Sequence, residues 1–244
     1  MNTKKIIFGN LKSNKSSNQM REWFVDFKDI LAKDSKKSVS GEKPFSKIDA
    51  VLAPAYPFLH LVNENSTETG LVLGIQDISS YPAGSYTGAI SVQNLVGLGV
   101  KYTLVGHSER RKYFSETNEI VAKKITQALS ADIIPIVCVD EGSLDDLAVK
   151  VSAEDMASCM VAYEPSGAIG SGENAALSDV KSFGKKVRTL FGDVPYLYGG
   201  SVDESSAAEY LLVTDGVIIG TASLDAKQFV SLLKSAQGEN PVGL

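Results

Sequence analysis

Histidine, cysteine and tryptophan are scarce in this 244-residue chain, which holds two, two and one of them. His60 and His107 lie far apart, and Cys138 and Cys159 sit in separate apolar runs without neighbours at metal-ligand spacing. A structural zinc site is thereby excluded, and no metal or other cofactor is expected. Two unpaired thiols in apolar surroundings fit a reducing compartment, so the expected location is the cytoplasm. Long hydrophobic runs are missing too, which removes a membrane span. The opening residues 1–11 carry Lys4 and Lys5 but too few apolar residues for a secretory signal. Positive charge is not in excess: the net charge is -5. Without a dense Lys/Arg face there is no nucleic-acid surface, and any anionic substrate needs positive potential built locally. No G-x-x-x-x-G-K-[ST] segment occurs. Gly170 to Ala175 matches G-x-G-x-x-A, with Asp193 about 20 residues on, but it does not close a strand-to-helix turn, and the dinucleotide reading is discarded.

What is present is ordinary globular composition, 43% hydrophobic and 22% charged, arranged with unusual regularity. Short apolar runs at 5–8, 49–53, 72–76, 102–105, 133–139, 160–163, 195–198 and 217–219 predict eight strands, nearly continuous in apolar character as in sheets buried on both faces. Helix signals lie between them. Ser16 to Gln19 resembles a capping box ahead of Trp23, Phe24, Phe27, Ile30 and Leu31 on one face. Val180, Phe183, Val187, Leu190 and Phe191 keep the same period, with Ser178 as expected N-cap. Phe229, Leu232, Leu233 and Ala236 repeat it. Residues 142–155 are acidic and only loosely periodic, and 33–47 reads as a surface loop. Strands alternating with helices imply a parallel sheet. Eight such units fit a single (β/α)8 barrel of eight parallel strands over residues 1–244 better than a doubly wound open sheet, the runner-up.

In a barrel of this kind the chemistry gathers where the strands end. Asn10 and Lys12 follow the first run, and Gly106 to Arg111 (GHSERR) follows the fourth. Glu164 ends the sixth, kept extended by Pro165 and followed by a run of small residues that reads as a lid. Gly199-Gly200-Ser201 follows the seventh and Gly220-Thr221 the eighth. Taken singly, each has a plainer reading: a solvated lysine, a loop histidine, an exposed acid, turn glycines, a core Cys138. Their joint placement on one rim changes that. The segments Gly170-Ser171-Gly172, Gly200-Ser201 and Gly220-Thr221 suit a phosphate, because glycine lets backbone N–H groups approach an anion.

The segments Asn10-Leu11-Lys12, Tyr86-Thr87-Gly88, Gly106 to Arg111, Ala162 to Pro165, Ala168-Ile169-Gly170, Tyr198 to Val202 and Ala222-Ser223-Leu224, in that order, closely resemble the triosephosphate isomerase family. The resemblance implies interconversion of dihydroxyacetone phosphate and D-glyceraldehyde 3-phosphate through an enediolate, a glycolytic and gluconeogenic step. It implies Glu164 as the base, His107 as a neutral electrophile, Lys12 as the cation facing the enediolate and phosphate, and Asn10 as a positioning group. Ser108 and Glu109 are expected to support them, Glu109 beside Lys12. Gly170, Ser201, Gly220 and Thr221 are expected to bind the phosphate. A homodimer through the loop from Ser79 to Ser91, with Thr87 near the other active site, is implied as well. Departures are Ser166-Gly167, where the family has a bulky residue and tryptophan at the lid hinge; Ala89, where glutamate is common; and Thr221 and Asp140 in place of glycines. They imply a lid that closes less favourably and leave the strength of the dimer open. Two other readings stay open: a barrel kept as a binding or adhesion module with weakened catalysis, and an aldolase using Lys12 as a Schiff base.

Overall fold

In a computed structural model, residues 4–35, 44–165 and 174–238 are described. Eight parallel strands close into a barrel in sequence order: β1 (Lys5–Asn10), β2 (Ile48–Ala53), β3 (Val72–Ile75), β4 (Tyr102–Val105), β5 (Ile134–Val139), β6 (Met160–Tyr163), β7 (Tyr196–Tyr198) and β8 (Gly216–Ile219). β8 pairs with β1 to complete the ring, Ile6 opposite Gly216 and Gly9 opposite Ile219. Every expected strand is present. The one displacement that matters is at β1, which runs two residues further, so Asn10 ends the strand rather than following it.

The apolar runs are continuous because both faces of each strand are buried. Ile6, Phe8, Leu104, Ile136, Cys138, Ala162, Leu197 and Ile218 fill the barrel interior, while Ile7, Leu52, Val105, Val137 and Val161 pack outward on the helices. Each buried aliphatic chain stabilises the fold by about 1.5–3 kcal/mol. This alternation also aims the strand ends. Residues of one parity share a face, so Ile6, Phe8 and Asn10 form one inward column, and Met160, Ala162 and Glu164 another. In two other columns Leu197 is followed by Gly199 and Ile218 by Gly220. The uppermost interior layer thus pairs two polar side chains with two glycines, which leaves a hollow instead of a plug.

Helices cover the outside: α1 (Ser17–Ser35), α2 (Leu59–Thr69), α3 (Ser108–Phe114), α4 (Asn118–Leu129), α5 (Leu144–Ala148), α6 (Ala153–Ala157), α7 (Leu177–Phe191), α8 (Glu204–Leu211) and α9 (Ala226–Ala236). The first cap is as expected, with Ser16 N–H donating to Gln19 Oε1 at 2.8 Å and the Gln19 amide to Ser16 Oγ at 3.4 Å. Trp23 stacks on Phe27 with centroids 4.9 Å apart, and both are buried. Three expectations change. α7 begins at Leu177 after Ala176, so Ser178 lies in its first turn, its hydroxyl turned to Asp179 rather than to a free amide. α1 continues to Ser35, through the start of the expected loop. The acidic stretch 142–155 resolves into most of two short helices, capped at the second by Ser152, whose Oγ accepts the Asp155 amide at 3.0 Å. No helix among the described residues is long and apolar enough to cross a membrane.

Candidate active site

Glu164 stands one residue past β6. Its N–H still donates to Val139 O at 2.8 Å, and its side chain is 3% exposed. The Ser108 N–H donates to Oε2 at 2.8 Å. Oε1 has no hydrogen-bond partner among the described residues, although His107 Nε2 is 3.3 Å away. An unsatisfied buried oxygen costs about 1–3 kcal/mol, so such an atom calls for a reason. Burial, and then the nearby Glu164 carboxylate, push the Cys138 thiol well above its ordinary range, leaving it a neutral part of the core.

His107 is the N-cap of α3. The Glu109 N–H donates to its Nδ1 at 3.2 Å, and the Arg110 and Arg111 amides donate to its carbonyl. An accepting Nδ1 leaves Nε2, 3.3 Å from Glu164 Oε1, as the ring nitrogen that carries the hydrogen. Gly106, with φ +74°, makes the turn that delivers this ring. Both ends of its peptide unit are held by charged groups: its N–H donates to Glu116 Oε1 at 3.1 Å, and Arg111 Nε donates to its carbonyl at 2.7 Å. The Arg111 guanidinium also binds Asn118 Oδ1 and the Cys138 carbonyl.

Lys12 has φ +50°, an uncommon backbone state for a residue with a side chain. Three contacts hold it there. Its N–H donates to Asn10 Oδ1 at 3.0 Å, Gln76 Nε2 donates to its carbonyl at 2.9 Å, and its ammonium binds Glu109 Oε1 at 2.6 Å. One carboxylate therefore sets Lys12, while the backbone amide of the same residue sets His107.

Below Gly106 lies a buried charge cluster. Lys124 Nζ sits 2.5 Å from Asp77 Oδ1 and 2.8 Å from Glu116 Oε2, and Arg110 reaches both carboxylates. Burial would raise the Glu116 carboxyl, but Lys124 and Arg110 together hold it below its ordinary value. Burial wins at Asp77, whose carboxyl is pushed up to about 6.

Asn10, Lys12, His107, Glu164, Gly199, Gly200, Ser201, Gly220 and Thr221 all line one cavity of about 420 Å³. Ser108 and Glu109 reach it through Glu164 and Lys12. Gly170 and the hinge pair Ser166-Gly167 lie outside the described residues. No cluster of three or more His, Cys, Asp or Glu side chains able to hold a metal occurs among those described. Sequence reasoning missed Gln76, Arg111, Asn118, Glu116 and Lys124. In sequence Gln76 reads as the last residue of a strand, and a charged residue on a helix or in a turn reads as solvated until packing buries it.

The family model described as triosephosphate isomerase matches residues 5–236. A triosephosphate isomerase of Thermus thermophilus is 33% identical over 261 residues, covering 95% of this chain and 98% of the relative. That of Mesomycoplasma hyorhinis is 35% identical over 246 residues with the same coverage. That of Mycoplasma mobile is 34% identical over 248 residues, covering 95% and 99%. With the barrel, the cavity and these matches together, the chain belongs to the triosephosphate isomerase family.

Proposed function

We propose that the protein interconverts dihydroxyacetone phosphate and D-glyceraldehyde 3-phosphate, with Glu164 as base, His107 as hydrogen-bond donor and Lys12 as cation. The observation that carries this reading is the unsatisfied Oε1 of Glu164, buried 3.3 Å from His107 Nε2 in the wall of the 420 Å³ cavity. Oε1 takes a proton from the carbon beside the carbonyl. The C–H electron pair becomes the new carbon–carbon double bond, and the carbonyl pair moves onto oxygen. His107 Nε2–H donates to the developing oxyanion, and the Lys12 ammonium offsets its charge along with that of the phosphate. The oxyanion takes up a proton from His107 Nε2, which regains one from the hydroxyl on the other carbon. As that hydroxyl oxygen becomes the new carbonyl, Glu164 returns its proton to the neighbouring carbon, so that ketose and aldose interconvert with no atom gained or lost. A fixed donor in a site closed to water contributes roughly 3 kcal/mol to such a transition state.

Asn10 acts by position, holding the Lys12 amide. The phosphate binds to backbone N–H groups at Ser201, Gly220 and Thr221, joined by Gly170. Glycine at 199 leaves Glu164 its place, since a Cβ there would come within 3.1 Å of Glu164 Cγ. Conversion of these two triose phosphates serves glycolysis and gluconeogenesis, and a reduced pair of buried thiols fits work in the cytoplasm. The chain acts as one barrel over 1–244 and as a homodimer through the loop from Ser79 to Ser91. The binding-module reading is less favoured because it gives the buried acid no task, and the Schiff-base reading because Lys12 is paired with Glu109 and part-exposed rather than desolvated.

The test is the Glu164→Gln variant of the purified protein. Isomerase turnover is expected to fall by about 10³-fold or more, while affinity for a non-reacting phosphate ester changes little. Turnover retained within a few-fold of the parent would remove Glu164 as the base.

A further inference from the structure

On the face opposite the catalytic mouth, where the strands begin, two adjoining cavities of about 360 and about 330 Å³ share Lys5, Arg188 and Asp215 as walls. The smaller is ringed by cations: Lys5 opens β1, and Lys181, Lys185 and Arg188 come from α7. Spacings of four and three residues put those three on one side of the helix, where like charges repel. Neither Lys181 nor Lys185 has an ion-pair partner among the described residues. Lys5 Nζ donates to the Thr214 carbonyl, which keeps its charge uncompensated. The single carboxylate in this wall, Asp215, accepts the Tyr196 N–H at 2.9 Å and lies 3.5 Å from Arg188 Nη2. Asp193 of the adjoining cavity lies 4.0 Å from Arg188 Nε, so the uncompensated charge is that of the three lysines. A chain of net charge -5 thus gathers four cations around one hollow. The larger cavity is of different character. Ile6, Ile134, Met160, Val194 and Pro195 supply apolar walls, with Asp193 at its edge.

We infer that this rim is a second binding site, for a phosphorylated small molecule with a flat apolar body, the chemistry of a nucleoside monophosphate. Lys185 and Lys181 would meet the phosphate as point charges, and Arg188 would add a planar fork. The apolar cavity takes the ring. Asp215 and Asp193 offer carboxylate oxygens to hydroxyl donors between the two. Cavities of these sizes are at the lower end of the range that small organic ligands occupy. The site shares no residue with the catalytic cavity, so it stands independently of the catalytic reading.

Adenosine monophosphate, adenosine and inorganic phosphate serve as probes, titrated into the whole protein while backbone amide resonances are followed. Adenosine monophosphate is expected to shift the amides of Asp193, Val194, Tyr196, Asp215 and Gly216, more weakly as salt rises, with inorganic phosphate binding less tightly and adenosine hardly at all. The Lys181→Ala/Lys185→Ala variant is expected to weaken it about tenfold, the loss of two charge-assisted contacts. Both lysines are exposed, so its circular dichroism and isomerase turnover should match the parent's. Shifts confined to Gly199, Gly200 and Gly220 would place the nucleotide in the catalytic cavity and overturn the proposal. So would undiminished affinity in the variant, or inorganic phosphate binding as tightly as the nucleotide.

Discussion

Asp77 shows how a single buried carboxylate can make stability depend on pH. Burial pushes its carboxyl up to about 6, even with Lys124 at 2.5 Å. In the unfolded chain the same group titrates at about 3.9. The folded state therefore binds the proton more tightly, and this contribution to stability is fully present below about pH 4 and lost as pH rises through about 6. Asp77→Asn cannot titrate and leaves Lys124 to Glu116. Urea midpoints measured at pH 5 and pH 7.5 are expected to differ less in the variant than in the parent. An unchanged difference would show that another group governs that range. Asp77 also shows what single residues conceal. In the sequence it is an unremarkable acid after a strand, and Lys124, from a helix 47 residues on, together with Arg110 of α3 makes it part of the support under His107.

At the scale of elements, the turn from β4 into α3 does the most to build the site. Gly106 bends the chain at φ +74°, and His107 caps the helix one residue later. A methyl group at position 106 would come within 2.8 Å of Arg111 Nη2 and 2.9 Å of Val121 Cγ2, in a backbone state that disfavours any side chain. Gly106→Ala is expected to cost about 1–3 kcal/mol of stability, read from the urea midpoint. It should also lower kcat/KM by about 10- to 100-fold, because the His107 ring moves with the turn. Full activity at lowered stability would mean that His107 tolerates displacement, contrary to the role proposed for it. The GHSERR segment was legible because its residue types are chemically specific. Arg111, within the same segment, was not assigned a task, since its grip on the Gly106 and Cys138 carbonyls depends on β4 and β5 lying side by side.

At the scale of the whole molecule, the loop from Ser79 to Ser91 turns aromatic surface outward. Tyr81 and Tyr86 stack there with centroids 4.6 Å apart and are 48% and 43% exposed. Such aromatic surface on a protruding loop fits the proposed contact with a second copy. Sedimentation equilibrium is expected to give about twice the 26.0 kDa chain mass for the parent. Thr87→Arg, which puts a bulky charge into that contact, should shift the mass to a single chain and reduce turnover sharply. A fully active monomeric parent would rule out the dimer as a requirement.

The order of apolar runs determined a parallel sheet buried on both faces and favoured the barrel over a doubly wound open sheet. Either arrangement hides such strands, and the pairing of β8 with β1 decided closure. The types and order of Asn10, Lys12, His107 and Glu164 likewise fixed which chemistry was available. Tertiary structure alone decided which groups share hydrogen bonds: Oε2 of Glu164 taken by Ser108 and Oε1 left free, Glu109 serving both Lys12 and His107, and Glu116 and Lys124 withdrawn from water. Local patterns carry strand and helix periodicity because each residue's neighbours in sequence impose it. Burial of charge comes from segments tens of residues apart, and it is set only when the barrel closes.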